Sequence, residues 1–376
     1  MTEPRIRIMQ VIECGGPGGT GYQVAALCNG IDKTRFEVSL VYSVRPGTAP
    51  TDYERLAHGA DRFIHVPEMV REISPLSDLL AFLRLYRIFR RERPDVIHAH
   101  SSKAGFLARA AGWAAGIGRI HYSPRGYAFL QRDRSFLSRG LYRLLERSVS
   151  WIGEIIAVSE SEGELARNQA LASRVCVVRD AFLGTIPDIP PAKAAATGKA
   201  LVCTCGRISY PRHPEAFLTL AHRLAQVRPE VRFLWIGDGE LRPVVDSLID
   251  RFGLRDRVAV TGWLPQDQAM EALRKADILV HYSRWEGLPN AVIDAMANGL
   301  PVVASDIPGN RDLVRPGHNG FLAPDDVVLF GRTLQLIDDL ELRGRLGAEG
   351  RALIRREFGL DRLLREISDK YSAARP

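Results

Sequence analysis

Short apolar segments alternate with amphipathic segments along this chain, and the alternation occurs twice. Residues 6–12 have the pattern of a buried strand, and residues 20–31 follow with helical spacing. After a break the same order returns, with a strand at 200–205 and a helix at 214–227. Strands that alternate with helices at this spacing form parallel sheets that helices cover on both faces. The sequence therefore predicts two parallel-sheet α/β domains.

The break lies at residues 185–199, which contain Pro187, Pro190, Pro191 and three consecutive alanines. Because proline removes a backbone donor and fixes φ, we expect a linker at 187–199. The expected domains are 1–186 and 200–355, and a C-terminal helix at 356–376 is expected to pack back on the first domain. Ligands of open parallel sheets bind beyond the carboxyl ends of the strands, so the two sheets are expected to face each other across a cleft.

Membrane-spanning and secreted classes are not favoured by this sequence. The 376 residues contain no apolar run of about 20 residues, and MTEPRIRIMQV leads straight into a strand without a signal-peptide core. Five cysteines, at positions 14, 28, 176, 203 and 205, lack the spacing of a disulfide framework or a metal site. We expect buried apolar thiols in a reducing compartment.

A glycine-rich loop, GGPGGTG from Gly15 to Gly21, follows the first predicted strand. Gly16, Gly18 and Gly21 satisfy the G-x-G-x-x-G pattern of dinucleotide sites. The carboxylate that holds the ribose of NAD is absent after the second strand, where Arg45 would suit a 2′-phosphate. Three interpretations stay open: a tight strand–helix turn, a dinucleotide site, or a loop whose amides approach an anion at a helix N-terminus. We favour the anion loop.

Charged residues follow two predicted strands of the second half. Arg207 and Arg212 lie between a strand and a helix, where two guanidinium groups suit one diphosphate. Glu286 lies in the turn before a later helix, and Asp294 lies about two turns into that helix. Carboxylates in these places suit the hydroxyl groups of a sugar and a ribose. The competing interpretations are solvated arginines, a Glu286 that pairs with the helix dipole, and a solvated Asp294.

Several motifs occur together in this order: HAHSSKAG at 98–105, Gly206-Arg207 with Arg212, Glu286-Gly287-Leu288-Pro289 with an acid eight residues after the glutamate, AMANGLPVVA at 295–304, and GNRDLVRPGHNG at 309–320. This combination resembles the retaining GT-B glycosyltransferases of family four, over nearly the whole chain. The resemblance implies the GT-B fold, in which two Rossmann-like domains face each other across a cleft.

The resemblance also implies roles by position. Arg207 and Arg212 would neutralise the donor diphosphate and Glu286 would contact the donor sugar, so these three are the expected catalytic residues. Arg212 stands where the family usually has lysine, and Asp294, expected to hold the ribose, stands where the family has glutamate. The expected donor-binding residues are Gly16, Gly18, Gly19, Arg207, Arg212, Gly237, Trp263, Leu264, Glu286, Gly287, Leu288, Pro289 and Asp294.

On the acceptor side, the resemblance points to His100, Lys103 and Arg125. Relatives often have histidine where this chain has Arg125, which is expected to act as a charge clamp instead. His98 and His100 point to the same side of a strand end, but no third residue has metal-ligand spacing. No metal or organic cofactor is expected, and the substrate would be a UDP-, GDP- or ADP-sugar.

Positive charge is concentrated in residues 81–147, which hold 14 basic and 4 acidic residues, while the whole chain has a formal net charge of +7. Two stretches contribute arginines: Arg84–Arg93, and Arg139, Arg143 and Arg147 on one face of a predicted helix whose other face holds Leu137, Leu141, Leu144 and Leu145. Such a helix is either a domain helix with solvated arginines or a helix on an anionic membrane surface. No aromatic interleaving or known module supports nucleic-acid binding.

The sequence predicts a retaining glycosyltransferase that moves a sugar from a nucleotide-diphosphate donor to a glycan or lipid-linked acceptor hydroxyl. The resemblance suggests bacterial surface polysaccharide or lipid-linked glycan synthesis. The expected location is cytoplasmic, peripheral on the inner face of the membrane. The alternatives are another GT-B enzyme (a phosphorylase or a nucleotide-sugar epimerase), an NADP-dependent oxidoreductase, and a non-catalytic nucleotide-sugar binding protein.

Overall fold

The structure is a computed structural model, and it describes residues 4–45, 47–186 and 200–373. The chain forms two compact units. The first contains the described residues up to Leu183 and those from Leu360 onward, and the second contains the described residues from Gly184 to Gly359. The linker expected at 187–199 lies outside the described residues.

The first unit is built on a parallel sheet of seven strands. These are β1 (Ile6–Gly15), β2 (Phe36–Val44), β3 (Arg62–His65), β4 (Val96–His100), β5 (Ile120–Ser123), β6 (Glu154–Ala157) and β7 (Val175–Val177). The strand order is β3-β2-β1-β4-β5-β6-β7, and every pairing is parallel. The central strands β1 and β4 therefore end side by side.

Six helices connect these strands: α1 (Gly19–Gly30), α2 (Pro50–Leu56), α3 (Pro75–Glu92), α4 (Ser102–Ala114), α5 (Phe136–Ser148) and α6 (Glu160–Asn168). Pro75 occupies the first position of α3, where a missing amide hydrogen costs no helical bond. Ser135 caps α5, and Ser159 caps α6, each by accepting from a backbone N–H of the first turn.

Apolar side chains cover both faces of the first sheet. Ile8 and Ile12 of β1 belong to one buried cluster, and Met9 and Val11 belong to another. Alternate residues of a strand point to opposite faces, so the two clusters lie on opposite sides of the sheet. The C-terminal helix Leu360–Ser372 packs into the first cluster through three side chains: Leu363, Ile367 and Tyr371.

The second unit contains a parallel sheet of six strands: β8 (Leu201–Cys205), β9 (Arg232–Ile236), β10 (Val258–Val260), β11 (Ile278–His281), β12 (Val302–Ser305) and β13 (Gly320–Ala323). The order is β10-β9-β8-β11-β12-β13. The helices are α7 (Pro214–Val227), α8 (Arg242–Arg251), α9 (Gln266–Lys275), α10 (Asn290–Ala297), α11 (Asp326–Asp338) and α12 (Leu340–Glu357). The C-terminal helix Leu360–Ser372 is α13.

The predicted α/β class with two parallel-sheet, Rossmann-like domains is confirmed. The sequence pattern predicts neither β13, whose place depends on its pairing with β12, nor the seven-residue α2. Arg356 and Glu357 end α12 in the second unit, and the helix that packs on the first unit begins at Leu360. Among the described residues, no helix has both the length and the apolar character needed to cross a membrane.

Helix α5 packs through a largely polar side, whereas a domain helix is expected to bury its apolar side. Its buried residues are Tyr142 and Glu146, and Glu146 pairs with the buried Arg109 at 2.5 Å. Of the predicted leucine face, Leu137, Leu141 and Leu144 are exposed and Leu145 is half-buried. The packed side of α5 is therefore formed by a buried ion pair and a tyrosine and not mainly by the leucines, and the membrane-surface interpretation stays a prediction.

Candidate active site

The loops that follow β8 and β9 meet at the carboxyl edge of the second sheet. The N–H of Gly206 donates to the carbonyl of Ile236 at 2.9 Å, and the N–H of Ile208 donates to the carbonyl of Asp238 at 2.8 Å. Gly237 has a φ of +135°, and a Cβ there would lie 2.3 Å from the carbonyl oxygen of Gly206. Only glycine fits at this contact, so the two loops approach each other backbone to backbone.

Glu286 lies in the loop after β11 with its side chain 11% exposed, and two side chains contact one of its oxygens. Nη1 of Arg212 contacts Oε1 of Glu286, and Nε2 of His281 lies 2.9 Å from the same oxygen. His281 is the last residue of β11, and Arg212 belongs to a short 3-10 turn after the adjacent strand β8. Nη1 of Arg212 also lies 2.9 Å from this Nε2. We infer that Nε2 carries the proton and donates to Glu286, because an ionised carboxylate only accepts and the two hydrogens of Nη1 have Glu286 and Ser283 as acceptors.

The charges of this cluster follow from its burial and its contacts. Burial raises the pKa of Glu286, but Arg212 and His281 outweigh that effect and bring the pKa to about 2. Burial and the nearby Arg212 charge lower the pKa of His281, although Glu286 opposes them. At neutral pH the site therefore holds an ionised carboxylate, a guanidinium and a neutral imidazole.

Hydrogen bonds between the loops after β11 and β12 support this arrangement. The N–H of Ser283 donates to the hydroxyl of Ser305 at 3.0 Å, and that hydroxyl donates to the carbonyl of Ser283 at 2.7 Å. Nδ2 of Asn310 donates to the carbonyl of Ser305 at 2.9 Å. A Cβ at Gly309 would lie 2.7 Å from the carbonyl oxygen of Gly287, so this glycine lets the two loops touch.

The run from Glu286 to Pro289 leads directly into α10. Leu288 is buried, and Pro289 is the N-cap residue, which has no side chain to cap the helix. Asp294 lies on α10, is half-buried, and has a pKa that burial raises to about 7. Desolvation, and after it the charge of Asp294, raises the pKa of the half-buried Cys205 thiol at the end of β8, which places Asp294 near the same strand end.

The two predicted diphosphate arginines lie on either side of Gly206. Nε of Arg212 lies 3.2 Å from the Cβ position of Gly206, so this guanidinium covers the glycine. Arg207 is more exposed, and its Nε donates to Oε2 of Glu240 at 2.7 Å. The structure therefore brings Arg207, Arg212 and Glu286 to one edge of the second sheet.

Gly237, Trp263 and Leu264 also lie together. Gly237 forms an isolated antiparallel bridge with Gly262, and its N–H donates to the hydroxyl of Thr261 at 3.1 Å. Trp263, the next residue, is exposed, and Leu264 is half-buried. A flat aromatic side chain is thus presented beside the β9 loop, and its role at the base stays a prediction.

The predicted glycine loop lies in the first unit, at the start of α1. Gly16 and Gly18 have φ values of +119° and +141°, and Gly18 is the N-cap residue that precedes Gly19. A Cβ at Gly21 would lie 2.0 Å from the carbonyl oxygen of Gly16, so the turn closes on itself. Nη1 of Arg45 lies 3.1 Å from the Cβ position of Gly18, which adds positive charge beside the loop.

The three predicted acceptor-side residues each have a partner inside the first unit. Nε2 of His100 lies 2.7 Å from Oε1 of Gln10, and burial holds the pKa of His100 well below its usual range. Nζ of the buried Lys103 lies 2.5 Å from a carboxylate oxygen of Asp78. Arg125, also buried, forms an ion pair with Asp180, so its charge is matched within the unit; the clamp role of Arg125 stays a prediction.

Sequence reasoning gave no role to His281, Ser283 or Asn310. The signal for His281 was present, because it is a polar residue at the carboxyl end of a buried strand, directly before the Glu286 loop. Ser283 and Asn310 offered no comparable signal, since their hydrogen bonds join residues 22 and 5 positions apart along the chain.

Metal ligands do not cluster in the part of the chain that the structure describes. There, no group of three or more His, Cys, Asp or Glu side chains is placed to hold an ion. Nδ1 of His98 lies 2.6 Å from the hydroxyl of Tyr371, and Nε2 lies 2.9 Å from the hydroxyl of Ser123. His98 is therefore engaged in the packing of α13.

Comparison with known proteins identifies both units. Residues 185–353 match the family "Glycosyl transferases group 1", and residues 18–181 match the "Glycosyl transferase 4-like domain". The chain belongs to the GT-B glycosyltransferases. The family models cover the Arg207, Arg212 and Glu286 cluster as well as the loop from Gly18 onward.

Relatives of this glycosyltransferase share most of its length. It is 26% identical to an Escherichia coli UDP-Gal:α-D-GlcNAc-diphosphoundecaprenol α-1,3-galactosyltransferase over 82% of this chain and 83% of that protein. It is 29% identical to the lipopolysaccharide core biosynthesis glycosyltransferase LpsE of Rhizobium meliloti, over 90% and 93%. The structure of Anabaena HepE in complex with UDP and glucose has the same fold, with a TM-score of 0.78 and 19% identity over 98% of this chain and all of that one.

Proposed function

We propose that this glycosyltransferase transfers a sugar from a UDP-sugar to a hydroxyl of a lipid-linked or glycan acceptor, with retention of the anomeric configuration. The relatives support the substrate classes: one is named for UDP-Gal and a diphosphoundecaprenol acceptor, and one for lipopolysaccharide core synthesis. HepE supports UDP, which is bound in its structure.

The observation that carries the proposal is the ionised Glu286 held between Arg212 and His281. A fixed carboxylate in a buried position accepts hydrogen bonds from sugar hydroxyls without further reorganisation. A guanidinium has five N–H groups, so Arg212 can hold Glu286 through Nη1 and direct other N–H groups to a diphosphate. One arginine thereby couples the position of the sugar to that of the leaving group.

The proposed step breaks the bond between the anomeric carbon and the diphosphate oxygen. Negative charge grows on the departing diphosphate, where Arg207 and Arg212 stabilise it. The acceptor oxygen bonds to the anomeric carbon on the same face, and its proton passes to the departing phosphate oxygen. The products are the glycosylated acceptor and UDP, and this chain supplies positioning and positive charge.

The remaining site residues have supporting roles in this proposal. Asp294 would accept from the ribose hydroxyls, and Gly237, Trp263 and Leu264 would border the base. The backbone of Gly287, Leu288 and Pro289 would fix the start of α10. Gly16, Gly18 and Gly19 would offer amides to an anion, and His100, Lys103 and Arg125 would border the acceptor.

Location and charge complete the proposal. The enzyme would act on the cytoplasmic side, at the inner face of the membrane. The arginines of Arg84–Arg93 and Arg139, Arg143 and Arg147 would attract anionic lipid. Arg139 donates to the carbonyl of Phe129 at 3.0 Å and Arg147 to that of Gln169 at 3.1 Å, so these two guanidinium groups are partly engaged.

A donor screen followed by product analysis tests the proposal. UDP-, GDP- and ADP-sugars are compared for thermal stabilisation of the protein, since a ligand of the native state raises its melting temperature. The stabilising sugar is then incubated with lipid-linked and glycan acceptors, and the new linkage is assigned by NMR. We expect stabilisation by UDP-sugars and a product linkage that retains the anomeric configuration. The proposal would be contradicted by selective stabilisation with GDP- or ADP-sugars, by an inverted linkage, or by isomerisation of the sugar without an acceptor.

A further inference from the structure

Helix α5 presents a row of large apolar side chains to solvent. Phe136 and Leu137 are each 82% exposed, Leu144 is 64% exposed, and Leu141 is exposed as well. Leu137, Leu141 and Leu144 recur at helical spacing, so they form one continuous stripe along about 10 Å of helix. Single exposed apolar residues are ordinary on protein surfaces, but a contiguous apolar stripe marks an interaction site.

The outward orientation of these leucines does not result from loose packing of α5, because the arginines of the helix make specific contacts with the first unit. Arg143 places its guanidinium 5.1 Å from the ring centroid of Phe129, and Arg139 donates to the Phe129 carbonyl. Tyr142 and Glu146 complete the inward side. The helix is therefore anchored by specific contacts that turn its leucines outward.

Helix α3 exposes a second set of leucines in its first turns. Leu76 is 71% exposed, and Leu79, Leu80 and Leu83 are also exposed. The segments that precede the two helices are joined by an ion pair, since Nη2 of Arg134 lies 2.8 Å from Oε2 of Glu72. The N-terminal ends of α3 and α5 therefore lie in the same part of the first unit. We name the exposed leucines of these two helices, with Phe136, the leucine surface.

We propose that the leucine surface docks in the interfacial layer of an anionic lipid bilayer. Amphipathic helices that lie in this layer bury an apolar face at the boundary of headgroups and acyl chains, with basic residues beside it. Exposed arginines occur on the same segments, namely Arg87 on α3, Arg132 before α5 and Arg147 in its last turn. Arg84 of α3 is also exposed, but its Nη1 pairs with Glu68 at 2.9 Å. Each such cation adds attraction to an anionic leaflet.

Charge also decides between a bilayer and a second copy of the chain. The stretch that spans the two helices, residues 75–147, holds 14 basic and 5 acidic residues. Two copies docked through this surface would bring two such excesses of positive charge together, whereas an anionic bilayer offers the opposite charge. This inference rests on the membrane location in the proposed function and deepens it, because it assigns the apolar surface through which the first unit binds the bilayer.

The test is flotation of the full chain with vesicles of phosphatidylglycerol and phosphatidylcholine, or of phosphatidylcholine alone. The variant Leu137→Ser/Leu141→Ser/Leu144→Ser removes the α5 stripe. Val327→Ser is the control, because Val327 is 70% exposed on α11 of the second unit. All four positions are exposed, so melting temperature and stabilisation by a UDP-sugar should match those of the wild type.

We expect the wild type and Val327→Ser to float with the phosphatidylglycerol vesicles, and the triple variant to lose at least about a hundredfold in partitioning, since burial of each leucine contributes roughly tenfold. At about 1 M salt, where the Debye length is about 3 Å, wild-type binding should weaken but not vanish. Two vesicle results would overturn the proposal: no binding by the wild type, or equal binding by the triple variant. So would a wild-type dimer that does not bind vesicles and that the triple variant no longer forms. None of these readouts depends on sugar transfer, so the two proposals fail separately.

Discussion

Nε2 of His281 lies 2.9 Å from Oε1 of Glu286, the oxygen that Arg212 also contacts. Oε1 of Glu286 is thereby held by the neutral imidazole of His281, at the end of β11, and by the guanidinium of Arg212, after the adjacent strand β8. Oε2 is not part of these contacts. In the proposed mechanism the first oxygen sets the orientation of Glu286. The second oxygen is then the one that meets the sugar.

Replacing His281 tests this positioning role. In His281→Leu the donor to Glu286 is lost, so the Glu286 pKa rises and kcat falls by roughly tenfold or more, as for loss of a preorganised hydrogen bond, with KM for the UDP-sugar little changed. His281→Gln keeps an N–H donor and should recover part of kcat. Initial rates from pH 4 to 8 would show the acid limb moving to higher pH in His281→Leu; identical kinetics of the two variants would argue against positioning.

Asp294 makes the stability of the protein depend on pH. Its pKa of about 7 lies above the usual value of 3.8, so the folded state holds a proton that the unfolded chain releases between these values. The free energy of unfolding therefore falls as pH rises through this window and levels off above pH 7. Asp294→Asn should be the more stable protein at pH 8, with the difference vanishing towards pH 4.

Thermal melts of the wild type and Asp294→Asn across this range check the prediction. Glu162, whose pKa burial raises to about 7, is present in both proteins and cancels in the difference. A melting-temperature difference that does not change with pH would show that Asp294 is ionised in the folded state throughout.

The ion pair of Arg125 and Asp180 should make the first unit sensitive to mutation at either position. Both side chains are buried, so removal of either leaves an uncompensated charge, at a cost of about 3–5 kcal/mol in the free energy of unfolding. Replacing both with apolar residues, as in Arg125→Met/Asp180→Leu, should cost less than the sum of the single changes. Urea unfolding of the three variants measures the coupling; additive effects would mean that the two groups act independently.

The glycine loop before α1 should tolerate no side chain at Gly21. A Cβ there would lie 2.0 Å from the backbone oxygen of Gly16, so Gly21→Ala must displace the loop. Gly331 is the matched control, because it also lies in a helix and a Cβ there meets no atom within 4 Å. Gly331→Ala should stabilise by about 0.5–1 kcal/mol, whereas Gly21→Ala should lower the melting temperature and sugar transfer.

Much of the fold follows from local patterns in the sequence. Residues 6–12, 36–44 and 278–281 are rich in Ile, Val, Leu and Phe with few polar residues, and such segments are readable as buried strands because both faces of the sheet are covered. The strand β13 was not readable, because Gly320–Ala323 gains its place only by pairing with β12. Helix α5 shows the limit of such patterns. Hydrophobic periodicity identified its two faces but did not predict which face packs, because that depends on the buried ion pair of Arg109 and Glu146.

The candidate site, like the fold, could be predicted only in part. Arg207, Arg212 and Glu286 were predictable because each follows a strand at the carboxyl edge of a parallel sheet, where ligands bind. That Arg212 contacts Glu286 was not predictable, because the two are 74 positions apart and their approach depends on the pairing of β8 with β11. The same pairing places His281 in the cluster.

The most direct test of the central claim is UDP-sugar turnover by Glu286→Gln, measured together with the affinity for UDP. Glutamine keeps the shape of the side chain but removes the charge that Arg212 and His281 hold in place. Glu271→Gln, on the surface of α9, is the matched control. The account predicts that Glu286→Gln binds UDP within about threefold of the wild type and loses roughly a hundredfold or more of its transfer rate, as when a preorganised charge contact is removed, while Glu271→Gln stays active. Transfer by Glu286→Gln at close to the wild-type rate would contradict it.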